Sequence, residues 1–347
     1  MRQPSTGVAQ DPIVTTLGRP GELQLTCSSL GARIVGLRVP VETGALDVVV
    51  GYSDQADYEH DKYYVGALCG RYAGRIGNGT FDLNGVTYSL SKSSSERHAL
   101  HGGIEGFNTR PWSLVKTNSA KSLVYTLKSP DGDQGYPGDL DVRVTYTLRK
   151  NHQLVIDVEA RSSSDTVVNL VSHAYFNLNA SDGISRSSID NHCVTLYANA
   201  ITELDDENLP TGKITNVADT RFDLRPTPAN GGQPIPRYNQ PLRTHVFDQN
   251  FVLDMHEGVL KLAAVASVPE HPVALAVYTT LPGLQLYTGD YLAGALAPRT
   301  GLCFEAQRFP DSPNQPLFPS AVLKAGDIYR SRTIYAFGAL DDILSIS

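Results

Sequence analysis

The chain has no excess of basic residues. Its 29 Lys and Arg stand against 36 Asp and Glu, a formal net charge of −7, which leaves no cationic stripe for nucleic acid. No apolar run approaches the length of a membrane span. The stretch Met1-Arg-Gln-Pro-Ser-Thr-Gly-Val8 lacks the apolar core of a signal peptide, so a cytoplasmic protein is expected. Cysteine is scarce. Cys27, Cys69, Cys193 and Cys303 lie far apart and form no C-x-x-C pair, which argues against a cysteine zinc site or a dithiol redox motif. Reduced, buried thiols are the simplest reading, with two disulfides as the alternative. Internal repeats, low-complexity linkers and helical patterns alternating with strands are also missing, which excludes a doubly wound α/β fold.

What is there reads as strand and turn. The 30 glycines and 21 prolines are too many for a helical bundle and suit many short strands. Glu22–Cys27, Arg33–Val39 and Leu46–Gly51 have strand-type patterns, and Ser53–His60 predicts a short helix capped by Ser53. Thr80–Leu90 is a hairpin around Asn84-Gly85, the pair that favours a type I′ turn. A longer hairpin alternates through Leu140, Val142, Val144, Tyr146 and Leu148 and returns through Leu154, Ile156, Val158 and Ala160. Period two on both arms means one buried and one wet face. Further strands are expected at 259–263, 273–278, 284–288 and 329–337. Residues 203–245, rich in Pro, Asn and Asp, predict a long ordered loop. Length alone fits about two domains or one large sandwich. We read residues 1–20 as a loose start and 21–347 as a single all-β domain, a large antiparallel β-sandwich.

Four stretches set an ionisable side chain among small or aromatic residues: Leu100-His101-Gly-Gly103, Ser172-His173-Ala-Tyr175, Phe247-Asp248-Gln-Asn-Phe251 and Cys303-Phe-Glu305-Ala306. Gly70-Arg71-Tyr-Ala-Gly74-Arg75-Ile76 adds two guanidinium groups. A carboxylate in an apolar strand has its pKa raised, which makes Glu305 a candidate general base near neutral pH. His173 is a candidate partner acid. One acid and one base without an activated nucleophile suit the opening of a hemiacetal ring. The base takes the anomeric proton, the acid protonates the ring oxygen, and the aldehyde rotates and recloses on its other face.

Other readings of these residues stand beside this one. A lone histidine in an apolar strand is commonly structural, and Arg71 can be a surface or strand-pairing residue. His98-Ala-Leu-His101 could pair on a metal, but no H-E-x-x-H, facial triad or cysteine set accompanies it. Asp131-Gly-Asp-Gln-Gly135 resembles the start of a calcium loop but lacks its glycine at position 6 and its terminal Glu. Asp248 and Glu305 could be a glycosidase pair. The glycines of 70–79 follow neither phosphate-binding pattern.

Taken together, ordered stretches from about Gly66 to Phe337 resemble the aldose 1-epimerase (galactose mutarotase) family. They are Gly70–Ile76, Leu100–Gly103, Asp131–Gly138, Asn169–Leu178, Pro210–Gly212, Phe222–Arg225, Phe247–Phe251, Tyr278–Gly283, Tyr287–Gly289, Phe304–Gln307 and Pro310–Pro316. The resemblance implies a large antiparallel sandwich with an open sugar cleft. It implies Glu305 as base on the anomeric hydroxyl and His173 as acid at the ring oxygen. His101, Arg75 and Asp248 would hold the sugar. No metal or organic cofactor is implied, and the partner is a small sugar or sugar-like hemiacetal bound by a monomer or homodimer.

Two positions depart from the pattern. Gly74 stands where the family usually has Asn, and Leu281 where it usually has Gln; both usual residues contact sugar hydroxyls. An apolar Leu281 facing a hydroxyl would favour a less hydroxylated hemiacetal or carbonyl substrate. A non-catalytic sugar-binding protein is a third reading, and the intact acid–base pair argues against it.

Overall fold

The computed structural model describes residues 12–42, 44–116, 119–179, 187–228, 234–235, 241–243, 245–253, 258–269 and 271–344. Two antiparallel sheets carry the architecture. The larger has eight strands, in the order Ser113–Val115, Ser122–Ser129, Leu140–Arg149, Gln153–Ser162, Ile328–Gly338, Ala274–Thr279, Lys261–Ser267 and Cys193–Leu196. The smaller has six, in the order Tyr175–Phe176, Leu302–Gln307, Gly283–Tyr287, Asp248–Leu253, Ala198–Leu204 and Pro210–Asn216. Alternation along the strands explains why the two sheets pack. Leu140, Val142, Val144, Tyr146 and Leu148 point inward while their neighbours meet water. They share one apolar core with Leu154, Ile156, Leu275 and Val277 and, from the smaller sheet, Phe251, Leu284, Leu286 and Phe304. The Tyr335 hydroxyl crosses between the layers and donates to the Phe304 carbonyl at 3.2 Å.

Both hairpins form where their patterns place them. Leu140–Arg149 pairs with Gln153–Ser162, and Asn84 and Gly85 turn with φ of 53° and 79°. The short helix is a 3₁₀ turn, Gln55–His60, and its cap is Asp54 rather than Ser53; the Asp54 carboxylate accepts from the Ala56 amide at 3.0 Å. Order begins ahead of the expected boundary at residue 20. Val14–Leu17 pairs with Gln24–Ser28 and opens a four-stranded sheet; residues 1–11 lie outside the described residues. The stretch 203–245 is not all loop. Pro210–Asn216 extends the smaller sheet beside Ala198–Leu204. Residues 229–233, 236–240 and 244 lie outside the described residues. The four cysteines are free and buried, so the disulfide alternative falls. Among the described residues, no helix is long and apolar enough to cross a membrane.

Candidate active site

Three neighbouring strands of the smaller sheet build the floor of a cleft of about 250 Å³. Their register does the work. Asn250 lies opposite Gln285, Gln285 opposite Glu305, Asp248 opposite Tyr287, and Tyr287 opposite Cys303. Alternation along Leu302–Gln307 then turns Cys303, Glu305 and Gln307 to one face and Phe304 and Ala306 into the core. His173 comes from the segment entering the edge strand Tyr175–Phe176. Its backbone is fixed on both sides, the amide donating to Ala67 O at 2.8 Å and the carbonyl accepting from Gly66 N at 3.0 Å.

The structure brings all five expected residues to this cleft: Arg75, His101, His173, Asp248 and Glu305. His173 Nε2 is 3.7 Å from Glu305 Oε2, and both side chains are 5 % exposed. Burial raises the Glu305 carboxyl to about 8, helped by Asp248 and opposed by Arg75. Burial lowers His173 to about 4, against its own carbonyl and Asp61, with Arg33 adding to the fall. The pair therefore holds one transferable proton between about pH 4 and pH 8. His101 is pushed well below the usual range by burial, then by His173 and Arg75.

His101 adopts φ of 47°, and its Nδ1 accepts from the Gly74 amide at 3.4 Å. The glycines after it do not make room for a ligand. A Cβ on Gly102 would lie 1.8 Å from Gly70 O, so it is this chain's own backbone that needs the space. Arg75 Nη1 is 3.9 Å from Asp248 Oδ2. Asp248 also accepts from Gln285 Nε2 at 2.7 Å, and Gln307 Nε2 bridges Asn250 Oδ1 at 3.1 Å and Gln285 Oε1 at 3.2 Å. Tyr64 packs against His101 with ring centroids 4.4 Å apart, and Tyr175 and Tyr287 flank His173 at 5.1 and 6.4 Å.

Arg71 is neither a surface nor a ligand-binding group. It is buried and donates to the carbonyls of Ser129, Pro130, Pro137 and Gly138, clamping the loop that resembles a calcium site. His98 is not grouped with His101; its Nδ1 accepts from Asn78 N and its Nε2 lies 3.6 Å from Glu207. Donor atoms of His101, His173 and Glu305 lie within 4.8 Å of one another and could hold a divalent ion. Zinc at about 2.0–2.1 Å from each donor would need them closer together. Leu281 does not face the cleft; it is buried in the main core, so the expected unpaired hydroxyl beside it does not arise. Gly74 does line the cleft, at φ of 81°, and a Cβ there would lie 3.2 Å from Pro310. Sequence reasoning assigned no role to Tyr64, Asn250, Gln285, Tyr287 and Gln307. The alternation Gly283-Leu-Gln285-Leu-Tyr287 was the available signal for two of them.

Fold and site together define a β-sandwich whose cleft sets a buried histidine and carboxylate beside a floor of side-chain amides. The sequence model of the aldose 1-epimerase family matches residues 14–336. Galactose mutarotase of Mus musculus is 39% identical over 329 residues, covering 92% of each chain. Aldose 1-epimerase of Escherichia coli K12 is 32% identical over 332 residues, covering 93% of this chain and 94% of the relative. The crystal structure of a GalM/aldose epimerase homologue from C. elegans superposes with a TM-score of 0.82 at 27% identity, covering 94% of this chain and 99% of that one. The chain belongs to the aldose 1-epimerase family and is an isomerase.

Proposed function

We propose that this aldose 1-epimerase, which interconverts the α and β anomers of an aldose, uses Glu305 as its base and His173 as its acid. The observation that carries the assignment is the 3.7 Å separation of His173 Nε2 and Glu305 Oε2 on the floor of a sugar-sized cleft. Glu305 takes the anomeric hydroxyl proton as the C1–O5 bond breaks, and His173 Nε2 gives a proton to O5. The aldehyde turns about C1–C2. On reclosure His173 takes the proton from the C5 hydroxyl, and Glu305 returns one to the new anomeric oxygen. Each turn restores the starting proton count. In the empty cleft burial disfavours both charges, so the shared proton rests on Glu305. Ring opening needs it on His173, one transfer across the pair. His101 and Arg75 meet the ring oxygen and nearby hydroxyls, and Asp248 accepts from a hydroxyl.

The amides of Gln285, Gln307 and Asn250 on the floor favour a fully hydroxylated aldose over the less hydroxylated alternative. We infer one domain running from Val14, active as a monomer or homodimer because one chain supplies the whole cleft. Four free, buried thiols support a cytoplasmic setting. Polarimetry on α-galactose and α-glucose, beside a panel of other hemiacetals, tests the reading. Turnover of a deoxygenated hemiacetal in preference to both hexoses would overturn it.

A further inference from the structure

His173 is held at both ends of its ring by one strand. Nε2 faces Glu305, and Nδ1 lies 3.5 Å from Cys303 Sγ. Cys303 and Glu305 are two residues apart on Leu302–Gln307, so the pleat sends both side chains to the imidazole. Cys303 is fully buried, wedged in register between Tyr175 and Tyr287. Burial raises its thiol well above the usual range, with Glu305, Cys69 and Asp248 adding to the rise and Tyr175 opposing it, so it stays uncharged. The other groups packed on the ring are aromatic faces and edges: Tyr64, Tyr175, Tyr287 and His101.

We propose that Cys303 is a positioning residue whose sulfur accepts the Nδ1–H of His173 throughout the cycle and so confines the working proton to Nε2. The inference rests on His173 acting as the acid. The chemistry it serves is specific. An imidazole that has delivered a proton from Nε2 must keep the one on Nδ1, or it cannot accept at Nε2 when the ring recloses. A carboxylate at Nδ1 would hold that tautomer too, but its charge would stabilise the imidazolium and weaken it as an acid. A neutral sulfur orients the ring without that cost. The bookkeeping closes within the site: Nδ1–H never leaves, Nε2 loses and regains one proton, and Glu305 gains and loses one.

The test begins with the wild-type protein. Long-range ¹H–¹⁵N spectra of ¹⁵N-histidine protein at pH 7, with the His173 signals assigned by difference from His173→Gln, should show a protonated Nδ1 and an unprotonated Nε2. Cys303→Ser, which keeps an acceptor, should hold that tautomer and retain kcat within about threefold. Cys303→Val should shift His173 to a tautomer mixture and lower kcat by roughly 10–100-fold at unchanged KM, the loss typical when a metal-bound imidazole loses the group that fixes its tautomer. A protonated Nε2 in the wild type, or full kcat in a folded Cys303→Val, would overturn the proposal. The tautomer is read without turnover, so a failure of the epimerase reading would appear separately, in the wild-type polarimetry.

Discussion

Two buried clusters of ionisable groups, one lining the cleft and one outside its lining, are handled in opposite ways. The side chains of Arg33 and Asp61 are 1 % and 0 % exposed and meet at 2.5 Å. Asp61 also accepts from Tyr52 Oη, Tyr63 N and Val65 N, at 2.8–3.0 Å. Arg33 also donates to Val65 O at 2.8 Å and Asn108 O at 3.0 Å. Glu305, by contrast, has His173 at 3.7 Å and, among the described residues, no hydrogen-bond donor of its own. Many partners tie a buried ion pair into the structure; burial without them pushes the Glu305 carboxyl toward its neutral form. The first cluster fixes the turn that carries Tyr63 and Tyr64 to the cleft, and the second lies in the cleft itself.

The largest effect should come from stripping the sparse cluster. Glu305→Gln and His173→Ala should each lower kcat by roughly 10²–10⁴-fold, typical for a positioned base or acid. Circular dichroism should show both still folded. Retention of more than about a tenth of wild-type kcat by either would remove its assigned role.

Breaking the dense cluster should invert that outcome. Arg33→Met leaves Asp61 buried without its counter-charge, which typically costs about 3–5 kcal/mol. Urea unfolding would measure the loss, with kcat falling far less than in the first pair of variants. Equal stability of Arg33→Met and wild type would erase the contrast.

The contrast also has a pH signature. The free-enzyme kcat/KM should be bell-shaped, falling below about pH 4 and above about pH 8, where the pair gains or loses its single proton. Stability follows from the same groups. Glu305 is raised from 4.5 to about 8 on folding, so the folded state binds more protons and its contribution to stability is lost as pH rises through that window. His173 is lowered from 6.5 to about 4, so its contribution is lost as pH falls through that one. The slopes oppose between 4.5 and 6.5, leaving a net decline between 6.5 and 8. Unfolding titrations should find this decline in the wild type and a flat line in Glu305→Gln.

The smallest effects should come from chelation and from residues outside both clusters. Excess chelator should leave the rate unchanged, and a loss reversed by zinc would instead assign the His101, His173 and Glu305 donors to a required metal. Gly74→Asn with Leu281→Gln should give no gain in kcat/KM for galactose. The first crowds Pro310 and the second puts an amide into the core, at about 1–3 kcal/mol of stability for the unpaired group. A tenfold gain in kcat/KM would show that these positions do read hydroxyls.

The fold was legible wherever one face of a strand is wet. Leu140–Ala160 alternates because water enforces it, and the hairpin at Asn84-Gly85 follows from a local turn. That five residues would gather in one cleft was legible because ionisable groups stand out in apolar strands. What pairs across strands was not. The chain segments carrying Asn250, Gln285 and Glu305 are distant in sequence, and only sheet register sets them side by side. Leu281 shows the converse: a motif gave its neighbours, but the direction of its side chain depends on how the turn between two strands closes. Arg71 was ambiguous for the same reason, since its partners are carbonyls some 60 positions away.

The single proton shared by His173 and Glu305 has a kinetic consequence. Free sugars open and close with help from whatever acids and bases the solution holds, so their anomers exchange faster in concentrated buffer. In the proposed cycle the pair already carries its one proton before the sugar arrives, needs only to pass it from Glu305 to His173, and has it back when the turnover ends. No proton has to come from or go to the medium between turnovers. If the pair works as proposed, the catalysed rate should be indifferent to buffer concentration, with no recharging step between one sugar and the next.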